Sequence, residues 1–329
     1  MIQPRELRLS LPIKLANGVH TSTDQVWKLL LASYHGQLDI VQQLVEQCPE
    51  LIYAQYNYAP PIHFAVREGH LLLVNYLLDN GALDPNYHTY PFQDSLLTLA
   101  HDRKHDEIAA ILDAYLDDSS RWQWKGDNGE IDYGRNQLQQ EFEKVVDKEN
   151  LQKTEELLKI HPELATDDTY FWSEGILMMP AKAGALQMVK LLMQYGARVP
   201  ELLKWTQFYY FERFDSAAFL IQNGMSPNTM NWHLVTILHD MAEKGNIAMA
   251  ELLIKHGASI NAIEEEYQST PLGMAARWGQ IEMVEFLLNK GADPQLAGAT
   301  WSTPLSWSRS KSHGEIESIL LKAGADKNV

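Results

Sequence analysis

Gln268-Ser269-Thr270-Pro271-Leu272-Gly273-Met274-Ala275-Ala276 decides the fold, because Trp301-Ser302-Thr303-Pro304-Leu305-Ser306-Trp307 echoes it with Thr-Pro-Leu displaced by 33 residues. Leu287-Leu288-Asn289-Lys290-Gly291-Ala292-Asp293 and Leu320-Leu321-Lys322-Ala323-Gly324-Ala325-Asp326 keep the same offset of 33. Leu252-Leu253-Ile254-Lys255-His256-Gly257-Ala258 ends an earlier copy. Further back, Pro60-Pro61-Ile62-His63-Phe64-Ala65-Val66-Arg67-Glu68-Gly69-His70 opens another, and Leu77-Leu78-Asp79-Asn80-Gly81-Ala82 closes it. Each part of the copy has a physical task. Proline in the first turn of a helix needs no N–H, and a threonine just before it can cap the orphan amides. Ile281, Val284, Leu287 and Leu288 fall on one helical face. Gly291 stands where a left-handed C-cap is expected. One such unit cannot bury its own apolar face, so neighbours must stack.

The unit resembles the ankyrin repeat, which reads T-P-L-H-x-A-A-x-x-G-H, then a Leu-Leu pair, then Gly-Ala-Asp. Aligned on the Thr slot, nine repeats anchor at Trp27, Pro60, Ser95, Gln140, Gly175, Leu203, Thr236, Thr270 and Thr303. Repeats 2, 7, 8 and 9 carry the motif closely. In repeats 4 and 6 only spacing and periodicity remain, with Gln140 and Leu203 in the Thr slot. The resemblance implies an all-α solenoid of about nine stacked helix-turn-helix units with short β-hairpin fingers. The expected organisation is an N-terminal tail or cap over 1–23, repeats 1–3 over 24–116, an insertion over 117–137, and repeats 4–9 over 138–329 with a polar C-terminal cap. The insertion holds Asn128-Gly129, a tight-turn signal, and reads as a long hairpin or an ordered loop, with a disordered linker as the alternative. It can also mark a break between two stacks.

Composition narrows the function. The 329 residues are 45% hydrophobic and 21% charged, as in a soluble globular chain. No apolar run approaches the length of a membrane span, and the first residues show no secretory pattern. Cys48 is the single cysteine, which excludes an internal disulfide and a Cys-rich zinc site. The formal charge is −16. Such acidity argues against nucleic acid, whose phosphates must be neutralised, and against anionic membranes. A cytoplasmic monomer is expected; an effector secreted into a host cell is the other location compatible with these features.

Candidate chemistry is sparse. The resemblance implies that His63 and His239 occupy a position used to brace neighbouring turns. His70 and His105 follow the Gly slot, and His256 sits at a helix end. His101 and His105 have a metal-compatible spacing, but no H-E-x-x-H signature is present. Asp127 to Asp132 has the look of a calcium loop, yet its first and last ligand positions fall on Trp124 and Arg135, which offer no carboxylate. No phosphate-binding or nucleophile motif occurs, so neither cofactor nor catalytic residue is expected. Cys48 reads as a small apolar residue, and Glu264-Glu265-Glu266 as a solvated charge run in a finger.

The resemblance further implies a concave binding face, made by finger residues before the Thr slot and by residues late in the first helix. In repeats 5 to 8 this places Phe171, Trp172, Tyr210, Phe211, Trp232, His233, Tyr267, Arg277 and Trp278 on that face. Seven of the 16 slots of that face in repeats 5 to 8 are aromatic, in a chain that is 10% aromatic, and exposed Trp, Tyr and Arg are typical anchors of interfaces. Two readings stand: a docking stripe for a protein or peptide with apolar anchors and a basic rim, or rings packed inside the molecule. The expected function is non-enzymatic protein recognition. The alternative is a small-molecule-binding protein or enzyme with a pocket at the irregular repeats 3–6, lined by Trp122, Trp124, Tyr133 and His161.

Overall fold

The computed structural model describes all residues except 16–18, 124–135, 168–169, 204–208 and 328–329, and except the side chains of 172 and 173. The helices begin where the side-chain chemistry allows. Thr270 accepts the Gly273 N–H (3.2 Å) ahead of the helix Pro271–Arg277, and Thr303 accepts the Ser306 N–H (3.1 Å) ahead of Pro304–Ser310. Where the motif is degenerate, other caps take over. Ser95 caps Leu96–Asp102, and Asn136 with Gln139 forms a reciprocal capping box on Gln137–Asp147.

The chain divides into two compact units, Gln3–Tyr133 and Gly134–Val329, the latter joined by Met1–Ile2. The first unit stacks three helix pairs: Thr23–Tyr34 with Leu38–Gln47, Pro61–Arg67 with Leu71–Asp79, and Leu96–Asp102 with Asp106–Asp117. Leu29, Val41, Ile62, Phe64, Val74, Leu77, Leu99 and Leu112 fill the seams between them. Ahead of the pairs, residues 1–23 hold a short helix, Arg5–Arg8, with Leu7 fully buried. They also hold the antiparallel strands Pro12–Lys14 and His20–Ser22, in which Pro12 faces Ser22. The first helix of repeat 1 starts at Thr23, capped by Ser22, four residues before the Trp27 anchor.

In the second unit five complete pairs are described: Gln137–Asp147 with Leu151–Ile160, Met178–Ala183 with Leu186–Gln194, Ile237–Lys244 with Ile247–Lys255, Pro271–Arg277 with Ile281–Asn289, and Pro304–Ser310 with Gly314–Lys322. Repeat 6 contributes its second helix, Phe214–Gln222; residues 204–208 lie outside the described residues. Ile237–Lys244, Pro271–Arg277 and Pro304–Ser310 pack in a row as first helices, and Phe214–Gln222, Ile247–Lys255 and Ile281–Asn289 run in a second row.

One slot reports the register of the repeats. Nine residues after the anchor the chain takes a positive φ at Gly36, Gly69, Lys104, Glu149, Gly184, Gly245, Gly279 and Ser312. A left-handed residue there turns the first helix into the second. At Gly69 a Cβ would fall 2.7 Å from the His105 ring, so glycine is also required sterically. Residues 117–137 hold a short turn of helix at Ser119–Arg121; the hairpin expected around Asn128-Gly129 falls outside the described residues. Among the described residues no helix is long and apolar enough to cross a membrane.

Candidate partner-binding face

The aromatic stripe is built from the finger loops and first helices of the second unit. The finger of repeat 8 is shaped by Glu264, whose carboxylate accepts backbone N–H groups from Glu266 (2.6 Å), Tyr267 (3.0 Å) and Ser269 (3.0 Å). Asn231 does the same for repeat 7, accepting the His233 (2.9 Å) and Val235 (3.1 Å) N–H groups. His239 bridges the two repeats. Its Nδ1 accepts the Thr236 N–H (3.2 Å), while Nε2 reaches the carbonyls of Ala262 (3.0 Å) and Ser269 (3.1 Å). These partners select the neutral tautomer protonated on Nε2. Burial lowers the His239 pKa to about 4, and the Thr236 N–H facing Nδ1 opposes a second proton in the same direction.

Two buried carboxyls lie in the same unit. Burial pushes Glu264 up to about 7 against the pull of its backbone donors. Burial likewise raises Asp240 to about 7, opposed by Lys244 at 2.9 Å. The Glu264-Glu265-Glu266 run is therefore not a solvated one: Glu264 and Glu266 are each 1% exposed. The signal for this was available in the register, because Glu264 precedes its Thr slot by nearly the distance that separates Asn231 from Thr236.

The structure brings the expected face residues into clusters. Arg277 lies 4.0 Å over the Tyr267 ring and 4.0 Å over the Trp278 ring. Trp307, which sequence reasoning did not single out, closes this group: it meets Tyr267 edge-on at 5.7 Å and donates its indole N–H to Ser269 Oγ at 2.6 Å. Trp232 stacks on His233 with centroids 4.4 Å apart, and His233 Nδ1 meets a Glu266 carboxylate oxygen. The Trp232 carbonyl accepts the Ile2 N–H at 3.2 Å. Tyr210 donates its hydroxyl to the Glu174 carbonyl, pinning the turn that follows the short helix Tyr170–Ser173. The Phe171 N–H reaches Glu143 at 2.7 Å.

Their burial separates the two readings of the stripe. Phe171, Tyr210, Phe211, Trp232, His233, Tyr267 and Arg277 are all buried, and Trp278 is half-buried. The side chain of Trp172 lies outside the described residues. An outward-facing aromatic stripe is thus not what the chain displays: rings of this size stay out of water wherever packing permits. Tyr210 and Phe211 also sit in a turn, not on the first helix where the register placed them. Among the described residues between Ala197 and Phe214 no helix is present, and the Tyr210 and Phe211 rings are buried there.

The histidines act as braces. His70, His105 and His313 reach the carbonyls of Tyr34 (2.9 Å), Arg67 (3.2 Å) and Arg277 (3.2 Å) in the preceding repeats. Gln280 does the same toward Glu243 at 2.6 Å. His63 meets the Tyr87 hydroxyl at 3.0 Å. Of the residues set aside for a pocket at repeats 3–6, two are described. Trp122 donates to the Tyr115 carbonyl, His161 pairs with Glu163, and Trp124 and Tyr133 lie outside the described residues.

Comparison with known proteins agrees with this architecture. A family model of ankyrin repeats in three copies matches residues 208–298, and one of a single ankyrin repeat matches 57–90. The ARF GTPase-activating protein Git of Drosophila melanogaster is 36% identical over 104 residues, covering 32% of this chain and 14% of that protein. The ARF GTPase-activating protein GIT2 of Mus musculus is 34% identical over 85 residues, 26% of this chain and 12% of that protein. The palmitoyltransferase ZDHHC13 of Mus musculus is 33% identical over 96 residues, covering 29% and 15%. The chain thus spans a small part of the length of these relatives.

Proposed function

Because the chain carries ankyrin repeats, which are in general protein–protein interaction modules, we propose that it is a non-enzymatic recognition scaffold that docks a protein or peptide on the inner face of its second unit. The observation that carries this reading is the locking of the fingers. Glu264, Asn231 and His239 tie the finger backbones of repeats 7 and 8 through buried hydrogen bonds. A surface fixed in advance loses little conformational entropy on binding. Trp278 is the contact residue of this face, half-buried and backed by the Arg277 guanidinium. By the register of the repeats Phe171, Trp172, Tyr210, Phe211, Trp232, His233, Tyr267 and Arg277 are assigned to the same face. The partner carries apolar anchors and a basic rim, complementary to a chain of charge −16. The scaffold acts in the cytoplasm as a monomer.

The test is affinity capture from the native host with the full chain and with Trp278→Ala. The parent should retain a partner that is released by salt, and Trp278→Ala should lose it while keeping its thermal midpoint. Equal capture by both chains would remove Trp278 from the interface. No retained partner for the parent would remove the recognition reading itself.

A further inference from the structure

The outer row of second helices carries a groove that nothing above uses. It is an open depression of 590 Å³ along the helix Ile247–Lys255, lined by Phe214, Ala248, Glu251, Leu252, Ile254, Lys255 and Lys290. Phe214 is 47% exposed. It stands at the first position of its helix, where Leu38, Leu71, Leu151, Leu186, Ile247 and Ile281 begin the corresponding helices with a smaller aliphatic group. A ring of that size left in water is costly unless something covers it.

Charge says what the cover is. The groove holds two lysines and one glutamate, a local balance of +1 (two minus one), on a chain whose sum is −16. Lys290 pairs with Glu251 at 3.1 Å, which leaves the Lys255 ammonium with no carboxylate within 4 Å among the described residues. An acidic chain that keeps an uncompensated cation beside an exposed aromatic ring is complementary to an apolar group flanked by carboxylates.

We propose that this groove docks an acidic, amphipathic peptide segment of a partner protein, with an apolar anchor against Phe214 and Leu252 and a carboxylate on Lys255. The proposal rests on the reading of the chain as a recognition protein but uses a different surface from Trp278. The anchor supplies most of the affinity, by excluding water from Phe214. Lys255 supplies register and a contribution that falls with salt.

The probe is a phage-displayed library of random twelve-residue peptides selected on the full chain. Enriched peptides should combine one or two large apolar residues with at least one carboxylate. Phe214→Asp should weaken them by about tenfold or more, and Lys255→Glu by about threefold. The latter loss should be recovered when one peptide carboxylate is replaced by lysine. Both side chains are exposed, so the circular dichroism and thermal midpoint should be kept; Phe214→Ala serves if the aspartate variant does not fold. Enriched peptides indifferent to Phe214 and Lys255, enriched peptides of basic character, or no enrichment would each overturn the groove. Peptides lost on Trp278→Ala but kept by Phe214→Asp would overturn it while leaving recognition on the inner face intact.

Discussion

At the scale of single residues, the slot between the two helices of a repeat shows how little freedom the backbone leaves. Gly69 has φ +78° and Lys104 has φ +61° in equivalent places. The two therefore predict opposite outcomes. Gly69→Ala adds a Cβ that must displace the His105 ring and sits in a left-handed region, and should cost about 1–3 kcal/mol. Lys104→Gly relieves the same region and should gain up to ~1 kcal/mol, since part of the relief is offset by the freer unfolded chain. Urea midpoints of both variants against the parent measure the two signs. A like sign for both would mean that the slot does not control the turn.

Tyr210 makes a second residue-scale case. Its ring is buried and its hydroxyl donates to the Glu174 carbonyl. Tyr210→Phe keeps the ring and abandons the acceptor, a change that should cost about 1–2 kcal/mol. A surface tyrosine would show no change, so the denaturation midpoint separates a ring that packs from one that docks.

At the scale of elements, the repeats differ in what starts them. Thr270 caps a helix that opens on Pro271, so both devices act at one end. Thr270→Ala should lose about 1 kcal/mol. The loss should be read as faster amide exchange at Gly273, whose N–H the threonine accepts. Repeat 4 lacks the Thr-Pro pair and yet begins cleanly, because Asn136 and Gln139 cap each other's backbone. A capping box there serves the orphan amides that the Thr-Pro start serves elsewhere. Repeat 6 is the one where motif and element part company. Its slot residues Tyr210 and Phe211 lie in a turn, and only its second helix is described.

At the scale of the whole molecule, stability should depend on pH through three buried groups. His239 falls from 6.5 to about 4 in the folded chain. The unfolded chain binds this proton first, so the contribution is full above 6.5 and is lost as pH falls toward 4. Glu264 rises from 4.5 to about 7 and Asp240 from 3.8 to about 7. The folded chain holds those protons longer, so their contribution is full below the unfolded values and is lost as pH rises through 7. Two carboxyls oppose one imidazole between about pH 4.5 and 6.5, and each is worth on the order of 3 kcal/mol across its window. These groups alone should therefore make the chain lose stability as pH rises from 5 to 7. Urea midpoints at pH 5 and 7 measure this slope. Glu264→Gln should flatten it, and an unchanged slope in that variant would place the titration elsewhere.

Most of the fold was legible in the sequence, because a repeat states its period locally. The Thr-Pro start, the Leu-Leu pair and the left-handed slot are each satisfied within one unit, and stacking follows from the face they leave apolar. The candidate site was legible only in part. Register placed Tyr267, Arg277 and Trp278 together, and the structure joins them, but register could not say whether they meet water. That depends on what packs over a face, which is a property of residues far apart in the chain. Glu264 and Glu266 show the same limit: three adjacent glutamates read as a solvated run until the finger wraps its N–H groups around one of them. The sequence by itself determined the repeat, its period and the Thr caps of its best-kept copies, since these rest on contacts within a few dozen residues. Tertiary structure alone decided which rings are buried, which carboxyls are shifted upward by burial and where an apolar groove stays open, because burial is set by the sum of all neighbours and no single stretch of chain carries it.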